Sequence, residues 1–588
     1  MSGSAKKLIH LLNYEQRKNS VFFLILLFFS TIFEGLSIAL VFPLIKMILD
    51  PSYLNYLNGK IPFLEIGNLN NEEIIVFTLI LITSVYFFKT IYLIFFSWWK
   101  SNFIFKMNND ISNRLFNKYI YSPYSYFFNR NSSELIRNIY EESRYINQSI
   151  DGFFKMIIEI FSTLIILIVL LTIQFKITFF MIIFFGVFAL MFNFIFSKKI
   201  KRWGFKKQNF VAKIFQNMQQ SFGSIKEIIL RGNQRYFSSQ FITILFNLNT
   251  QAKKLMFISE IPKNALETMA VILVCFVIFF SLQTTINLNE LAPIIGLFGA
   301  AALRIIPAFN RIIANKQIID SCYPSVNLVY EEIKDNKDYS HKIENNENVN
   351  KEYKFEKEIE LQDIFYKYPE ADSYVLQDLN LKIKKNECIC IVGDSGSGKT
   401  TLVDILSGLL KPMSGKILLD GKQVSFCSQN WRKLIGYVTQ SVYLIDDSIK
   451  NNILFGLNNG ESIDQDRLDL AIKYSQLDTF INQIPEGIEY KVGENGMKLS
   501  GGQKQRIGIA RTLYFNPKIL VLDEITSSLD SDTSASLISC LNNLSGKITM
   551  IYISHNNQVI NNADIVFKFE KDLNNKLKYI KKFNKNNE

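Results

Sequence analysis

The stretch IVGDSGSGKTTL, residues 391–402, decides how the rest of the chain is read. Apolar residues, Ile389 and Ile391 among them, lead into Gly393, and Gly398-Lys399-Thr400 follows after a gap of four. The helix-like run VDILSGLL comes next. This is the pattern G-x4-G-K-[ST] in the strand–turn–helix setting that gives it meaning. A turn made of Gly393, Asp394, Ser395, Gly396, Ser397 and Gly398 lets backbone N–H groups close around an anion. The start of the helix, with Lys399, Thr400 and Thr401, adds a favourable dipole. Lys399 is predicted to reach the outer phosphates, and the Thr400 hydroxyl to be a magnesium ligand. A Gly/Ser-rich turn arising by chance is the bland alternative. The full pattern in this context predicts nucleoside triphosphate binding.

At 588 residues the chain exceeds one ordinary domain. A mean hydropathy of +0.12 and 51 phenylalanines are too apolar for a soluble enzyme with a single core. The long apolar runs fill the first 320 or so residues, whereas the remainder resembles a soluble α/β protein. A net charge of +12 raises the question of nucleic acid. Many of the lysines and arginines flank apolar spans, however, which matches membrane orientation and argues against a nucleic-acid partner. The six cysteines are scattered. Cys388 and Cys390 share an apolar strand with no second ligand pair, so packing is their predicted role and a reducing compartment fits. The first apolar run lacks a small-residue cleavage site, so no removed signal peptide is expected.

A helix needs roughly 20 apolar residues to cross a bilayer. Stretches 21–49, 74–99, 153–175, 177–197, 264–282 and 291–314 qualify. Segments 100–152 and 198–256 are polar, with helical composition, and the second carries a dozen Lys and Arg. Segment 50–73 carries only Lys60, and 283–290 carries no basic residue. That asymmetry places both termini and the two long segments in the cytoplasm, the latter as intracellular legs. Segment 50–73 is either a short amphipathic helix on the outer face or a loop. Residues 331–357, rich in Asn, Glu and Lys, form a solvated linker between a membrane domain, 1–330, and a nucleotide domain, 358–588.

Ionisable residues inside spans cost about 2.5–3.5 kcal/mol each at a helix centre, so they mark function or pairing. Glu34, Lys89, Lys263, Glu267, Arg304 and Arg311 are of this kind. Lys263 and Arg311 are also explained by an interfacial position, their stems snorkelling. Lys89 and Arg304 have apolar neighbours on both sides. With Lys263 they suggest a cavity that accepts a negatively charged group.

From Ile359 onward, strand-like and helix-like runs alternate, as in an α/β sheet protein. ILVLDE, 519–524, is an apolar strand ending in two carboxylates. Asp523 is predicted to hold the magnesium hydration shell, and Glu524 to orient and deprotonate the attacking water. Upstream, FYKYP offers Tyr368 for stacking on adenine, in competition with Phe365 and Tyr366. LSGGQKQR, 499–506, makes a second anion-binding turn at Ser500, Gly501, Gly502 and Gln503 before a helix.

The phosphate loop and LSGGQKQR together are the signature of ABC-type ATPases, and the whole chain resembles an ABC exporter half-transporter. The resemblance implies a multidomain fold: an all-α six-helix transmembrane domain followed by an α/β P-loop ATPase domain. It matches Tyr368 to the adenine-stacking loop, and Gln440 in IGYVTQ to the glutamine that also contacts magnesium. Val492-Gly493-Glu494, Ser528-Leu529-Asp530 and His555 match the X-loop, the D-loop and the switch histidine. Asn556 departs from the pattern, since an arginine is common after that histidine. The resemblance further implies a homodimer of twelve spans, with each ATP between the phosphate loop of one copy and the Ser500 turn of the other. Stretches 129–136 and 223–237 resemble the coupling-helix regions.

The motor does not name its cargo. About twenty residues precede the first span, too few for a peptidase domain. IFEGLSIALVFPLI, 32–45, and ALRIIPAFNRII, 302–313, resemble bacterial flippases of lipid-linked oligosaccharides. Those are inner-membrane proteins whose cargo joins a polyprenyl tail, a pyrophosphate and a glycan, which gives Lys89, Lys263 and Arg304 an anion to meet. Export of lipids, hydrophobic drugs or peptides is the alternative. An ABC protein that ATP gates without pumping is a further one, although Glu524, Gln440 and His555 are all present.

Overall fold

The computed structural model describes residues 2–39, 71–173, 175–283, 288–334, 353–369, 371–426, 428–458, 460–526, 529–571 and 577–583. The chain divides into two compact units. The first is Met1–Ser122 with Asn129–Lys342; the second is Ile343–Glu588 together with Pro123–Phe128. Expectations for 40–49, for 50–70 and for most of the 331–357 linker fall outside the described residues.

The first unit is helical. Helices α1 (Ser2–Leu11), α2 (Tyr14–Ala39) and α3 (Asn71–Ile120) are followed by the short α4 (Ser132–Arg137). Next come α5 (Ser143–Ile173), α6 (Phe175–Gly223), the short α7 (Ile225–Arg231), α8 (Gln234–Gln283) and α9 (Leu288–Lys334). The described parts of the predicted spans fall on the long helices, and α3 and α6 run on into the polar segments. Among the described residues, three helical stretches are long and apolar enough to cross a membrane: Leu79–Ile120, Ser132–Thr172 and Thr178–Gly223.

Core contacts come from Ile166 and Leu170 on α5, Phe185, Phe192 and Ile200 on α6, Ile258 and Leu266 on α8, and Ile305 and Ile313 on α9. Other large apolar side chains point outward, Phe194 at 86% exposure and Leu190 at 72%. Water penalises such a surface and hydrocarbon does not.

Two carboxylates of the helical unit are held by arginines. On α5, Glu159 accepts two bonds from Arg311, at 2.6 and 3.0 Å, so Arg311 has a carboxylate partner. A π-helical turn, Asn138–Glu142, joins α4 to α5. There the fully buried Glu142 lies 3.3 Å from Arg137 and accepts from Gln208 at 2.8 Å. Removing one member of such a set strands the other charge, a loss of roughly 3–5 kcal/mol.

The second unit holds two sheets. β1 (Glu358–Tyr366), β2 (Leu376–Lys384), β4 (Ser414–Leu419) and β5 (Lys422–Gln423) form an antiparallel sheet in the order β2-β1-β4-β5. The other sheet runs β10-β9-β3-β8-β7-β6. Its members are β3 (Cys388–Gly393), β6 (Ile435–Val438), β7 (Ile519–Asp523), β8 (Thr549–Ile553), β9 (Ile565–Lys571) and β10 (Leu577–Phe583). β2 alternates buried and exposed positions, whereas β7 and β8 are buried throughout. This is the expected contrast between a half-solvated antiparallel strand and a parallel strand covered on both faces. Cys388 and Cys390 are buried on β3, and burial pushes both thiols up to about 12.

Candidate functional site

Strands β9, β3, β8, β7 and β6 pair in parallel in that order, so the segments after β3, β7, β8 and β6 emerge side by side. Those segments carry Lys399, Glu524, His555 and Gln440. Carboxyl ends of parallel strands are where α/β sheets place ligands.

After β3 the chain turns through Gly393 (φ +152°), Gly396 (φ +77°) and Gly398 (φ +94°) into α10 (Lys399–Leu406). A Cβ at Gly393 would stand 2.4 Å from the Phe569 carbonyl oxygen, so only glycine fits. The Lys399 ammonium donates to the carbonyls of Gly393 at 2.5 Å and Asp394 at 2.9 Å. Ser397 Oγ is buried with no hydrogen-bond partner, an acceptor or donor turned inward on the turn. Thr400 is exposed and Thr401 buried. The Thr401 hydroxyl shares a 3.0 Å hydrogen bond with that of Tyr368. Tyr368 is half-buried, edge-on to Tyr366 at 5.3 Å and to Phe128 at 5.4 Å. Tyr366 is 5% exposed. Of these two tyrosines, Tyr368 has the more open ring.

Asp523 ends β7, 8% exposed, and its Oδ2 accepts from the Tyr437 hydroxyl at 3.2 Å. Burial raises its carboxyl above the ordinary range, while the Tyr437 bond and the Lys399 charge pull it down. Glu524 follows with φ +48°, a left-handed conformation that costs a non-glycine residue and turns it out of the strand. Its N–H donates to the Ile553 carbonyl at 2.9 Å, and its Oε2 accepts from Gln440 Nε2 at 2.7 Å. Gln440 and His555 are exposed.

Sequence reasoning did not single out Tyr437, Gln505 or Asp404. Gln505, 3% exposed, donates to the Gln440 carbonyl at 2.5 Å and so ties the LSGGQKQR helix to the glutamine loop. Asp404 lies on α10, 7% exposed; burial, then the charge of Asp523, pushes its carboxyl up to about 6. The unfolded group titrates near 4. Below pH 4 both states hold the proton; between 4 and 6 only the folded state does, so its contribution to stability falls until pH 6 and is level above. Asp404→Asn is therefore expected to raise the melting temperature by about 2–4 °C at pH 7.5 and to change little at pH 4, by differential scanning fluorimetry. An equal shift at both pH values would contradict the assignment.

The second turn starts helix α11 (Gly501–Tyr514). Ser500 Oγ accepts from the Gln503 N–H at 3.2 Å, and the Ser500 N–H donates to Gln503 Oε1 at 2.8 Å, a reciprocal cap. A Cβ on Gly502 would stand 2.6 Å from Leu529 Cδ2. Leu499, Ile507 and Ala510 pack in one apolar cluster with Leu444 and Leu468; Ile391 and Leu402, beside the phosphate loop, pack in another. The two anion turns thus belong to different parts of the unit. Asp530 caps the next helix, α12 (Ser531–Asn542), accepting from Thr533 N–H at 3.0 Å.

In the helical unit, Lys89 is half-buried with its ammonium 5.2 Å above the Tyr86 ring, Arg304 is half-buried and Lys263 exposed. Among the described residues, four clefts of about 380–540 Å³ are lined by other side chains. The stretch 129–136 lies in the helical unit, and the neighbouring residues 123–128 are those that group with the nucleotide unit.

The ABC transporter family model matches residues 376–527, and the model of the ABC transporter transmembrane region matches 19–298. The chain is 25% identical over 460 residues to the ATP-dependent lipid A-core flippase of Ralstonia nicotianae, across 78% of this chain and 76% of the relative. It is 30% identical over 371 residues to the protein of the same name from Alkalilimnicola ehrlichii, across 63% and 61%. That second match spans less than two thirds of the relative. A solved bacterial Atm1-family ABC exporter with ATP bound shares the fold, with a TM-score of 0.73 at 18% identity, covering 95% of this chain and 94% of that one. A nucleotide unit with this strand-end arrangement, behind a multi-pass helical unit, belongs to the ABC transporters: the chain is an exporter half-transporter that binds ATP and couples its hydrolysis to transport.

Proposed function

We propose that two copies of this chain form a flippase that moves a polyprenyl-pyrophosphate-linked oligosaccharide across the bacterial inner membrane. The observation that carries this cargo is the pair of half-buried cations, Lys89 and Arg304, on apolar helices. They offer a pyrophosphate two charges at low dielectric while a polyprenyl tail stays in lipid. Lys263, exposed on α8, is the third cation of the path. Relatives named as lipid A-core flippases support an amphipathic lipid-borne cargo. Export of a lipid, a hydrophobic drug or a peptide is the second reading. The basic 198–256 segment supports a cytoplasmic position for the legs, the nucleotide domain and both termini.

In the motor, each ATP lies between the phosphate loop of one copy, Gly393 to Thr401, and Ser500, Gly501, Gly502 and Gln503 of the other. Separate packing of the two turns supports this, because within one chain they belong to different apolar clusters. Tyr368 stacks on adenine. Glu524, held by Gln440, takes the proton of the attacking water; His555 contacts the outer phosphate; Asp530 closes the site across the dimer. Thr400, Gln440 and Asp523, the last through water, would hold magnesium, which neutralises charge on the phosphate oxygens. Among the described residues no group of three His, Cys, Asp or Glu is placed to hold a metal ion by itself. One buried carboxylate fits an ion held mostly by phosphates and water.

The test is flipping of labelled pyrophosphate-linked glycolipid in proteoliposomes, with a plain phospholipid control. Replacing Lys89 and Arg304 together by Gln is expected to lower glycolipid flipping at least about tenfold and to leave basal ATPase within about twofold, since roughly 1.4 kcal/mol of lost charge pairing is a factor of ten. Equal flipping by mutant and parent would remove the cargo assignment.

A further inference from the structure

The residue after the switch histidine is Asn556, where the family pattern favours arginine, and its short amide makes two contacts, the first of which arginine, lacking an acceptor, cannot make. Its Oδ1 accepts from the Gln558 N–H at 2.8 Å, which caps helix α13 (Asn557–Asn562). Its Nδ2 donates to Ser534 Oγ at 3.3 Å. The Asn556 N–H also donates to Ser554 Oγ at 3.0 Å, so the loop around His555 is held on both sides. Ser534 is 4% exposed, in the first turn of α12, and its own N–H donates to the Asp530 carbonyl at 2.9 Å. A continuous run of bonds thus leads from Asp530 through Ser534 to Asn556, next to His555. Beneath it, Leu537, Ile538 and Leu541 of α12 share an apolar cluster with Val559 of α13. The two helices are packed together, and the polar link sits where both begin.

We propose that Asn556 is a positioning residue that couples the His555 loop to Asp530, the capping residue of α12 in the same chain, through Ser534. The inference rests on the roles given above to His555 and Asp530. A displacement of Asp530 on ATP binding moves the start of α12, Ser534 follows, and Asn556 carries the move to the histidine. Capping alone would use only Oδ1 and would leave Ser534 irrelevant.

The two functions separate by substitution. Asn556→Ser keeps a capping hydroxyl but loses the reach to Ser534. Ser534→Ala removes the acceptor from the other side with little change in volume. With full-length protein in lipid, each is expected to lower the kcat of ATP hydrolysis about fivefold, with KM for ATP within about twofold and the melting temperature within about 2 °C. At 1.36 kcal/mol per tenfold this is about 1 kcal/mol, the worth of one neutral hydrogen bond. The double variant is expected to be no slower than either single one, because both delete the same link. Multiplying losses, a kcat that falls only in step with melting temperature, or unchanged turnover in both variants would each overturn the coupling. His555→Ala serves as the control: normal turnover there would sink the histidine's own assignment and the coupling with it. A slow His555→Ala beside unaffected Asn556→Ser and Ser534→Ala would sink the coupling alone.

Discussion

Glu524→Gln is expected to lower steady-state ATP hydrolysis by about two to three orders of magnitude while leaving ATP bound. The carboxylate leaves β7 at a backbone angle, φ +48°, that no β-branched or bulky residue adopts easily, and its N–H is fastened to Ile553. That placement is specific: it directs a group one residue beyond the buried Asp523 toward the ends of β8 and β6, where His555 and Gln440 emerge. Gln440 Nε2 already donates to Glu524 Oε2, at 2.7 Å. Glutamine keeps the size, and with its amide oxygen toward Gln440 it keeps that bond as well. What it loses is the capacity to take a proton from water. General-base action is worth about 10²–10⁴ in rate, so the loss falls on kcat, and nucleotide affinity is spared. The measurement is ATPase turnover alongside nucleotide retention after rapid desalting. Turnover near the parent's would refute the general-base role. Fast turnover combined with weak retention would instead point to Glu524 as a binding residue.

Features that depend on residue type at a fixed spacing were legible in the sequence. The phosphate loop is one: three glycines at positive φ, with Gly393 squeezed against Phe569, admit few alternatives. The ILVLDE strand is another: an unbroken apolar run ending in two carboxylates reads as a strand, and Ile519 to Asp523 are all buried. Features that depend on register or helix rotation were not. Tyr437 reaches Asp523 because β6 pairs with β7 so that Tyr437 lies opposite Val521, a fact of strand alignment that no local pattern encodes. Gln505 meets Gln440 across 65 residues of chain, on a helix whose rotation only the fold sets. Asp404 looked like one polar residue in an apolar helix, and the fold turns it inward near Asp523. The membrane half shows the same limit. Hydropathy locates Arg311 in a span but not the face it occupies, so its bond to Glu159 was invisible. Residues 123–128 carry a signal that was available, since Pro123 stops the preceding helix and four aromatic residues follow within five positions.

Lys399→Ala is expected to weaken ATP binding by about a hundredfold or more, and the structure says why the loss should be large. The ammonium of Lys399 is bonded to the carbonyls of Gly393 and Asp394, with its side chain folded back over the turn it starts from. Lys399 is 8% exposed, so the charge is held out of water by the turn itself. When phosphates enter, the ammonium exchanges neutral carbonyl partners for anionic oxygens. Hydrogen bonds between charged groups are worth about 1.5–3 kcal/mol each, about twice the neutral kind. Losing one or two of them, together with the attraction of a full charge at low dielectric, amounts to about 3 kcal/mol, or about a hundredfold. Alanine leaves the turn's backbone N–H groups and the start of α10 in place, so weak binding should survive instead of vanishing. Lys399→Arg keeps the charge but places a wider planar group where Gly393 and Asp394 close in, so it should recover only a small part of the affinity. Titration with a fluorescent ATP analogue at fixed magnesium measures both variants. An affinity within threefold of the parent's in Lys399→Ala would mean that the N–H-lined turn alone holds the phosphates. The lysine would then be a brace for the loop, with its two carbonyl bonds as its whole function.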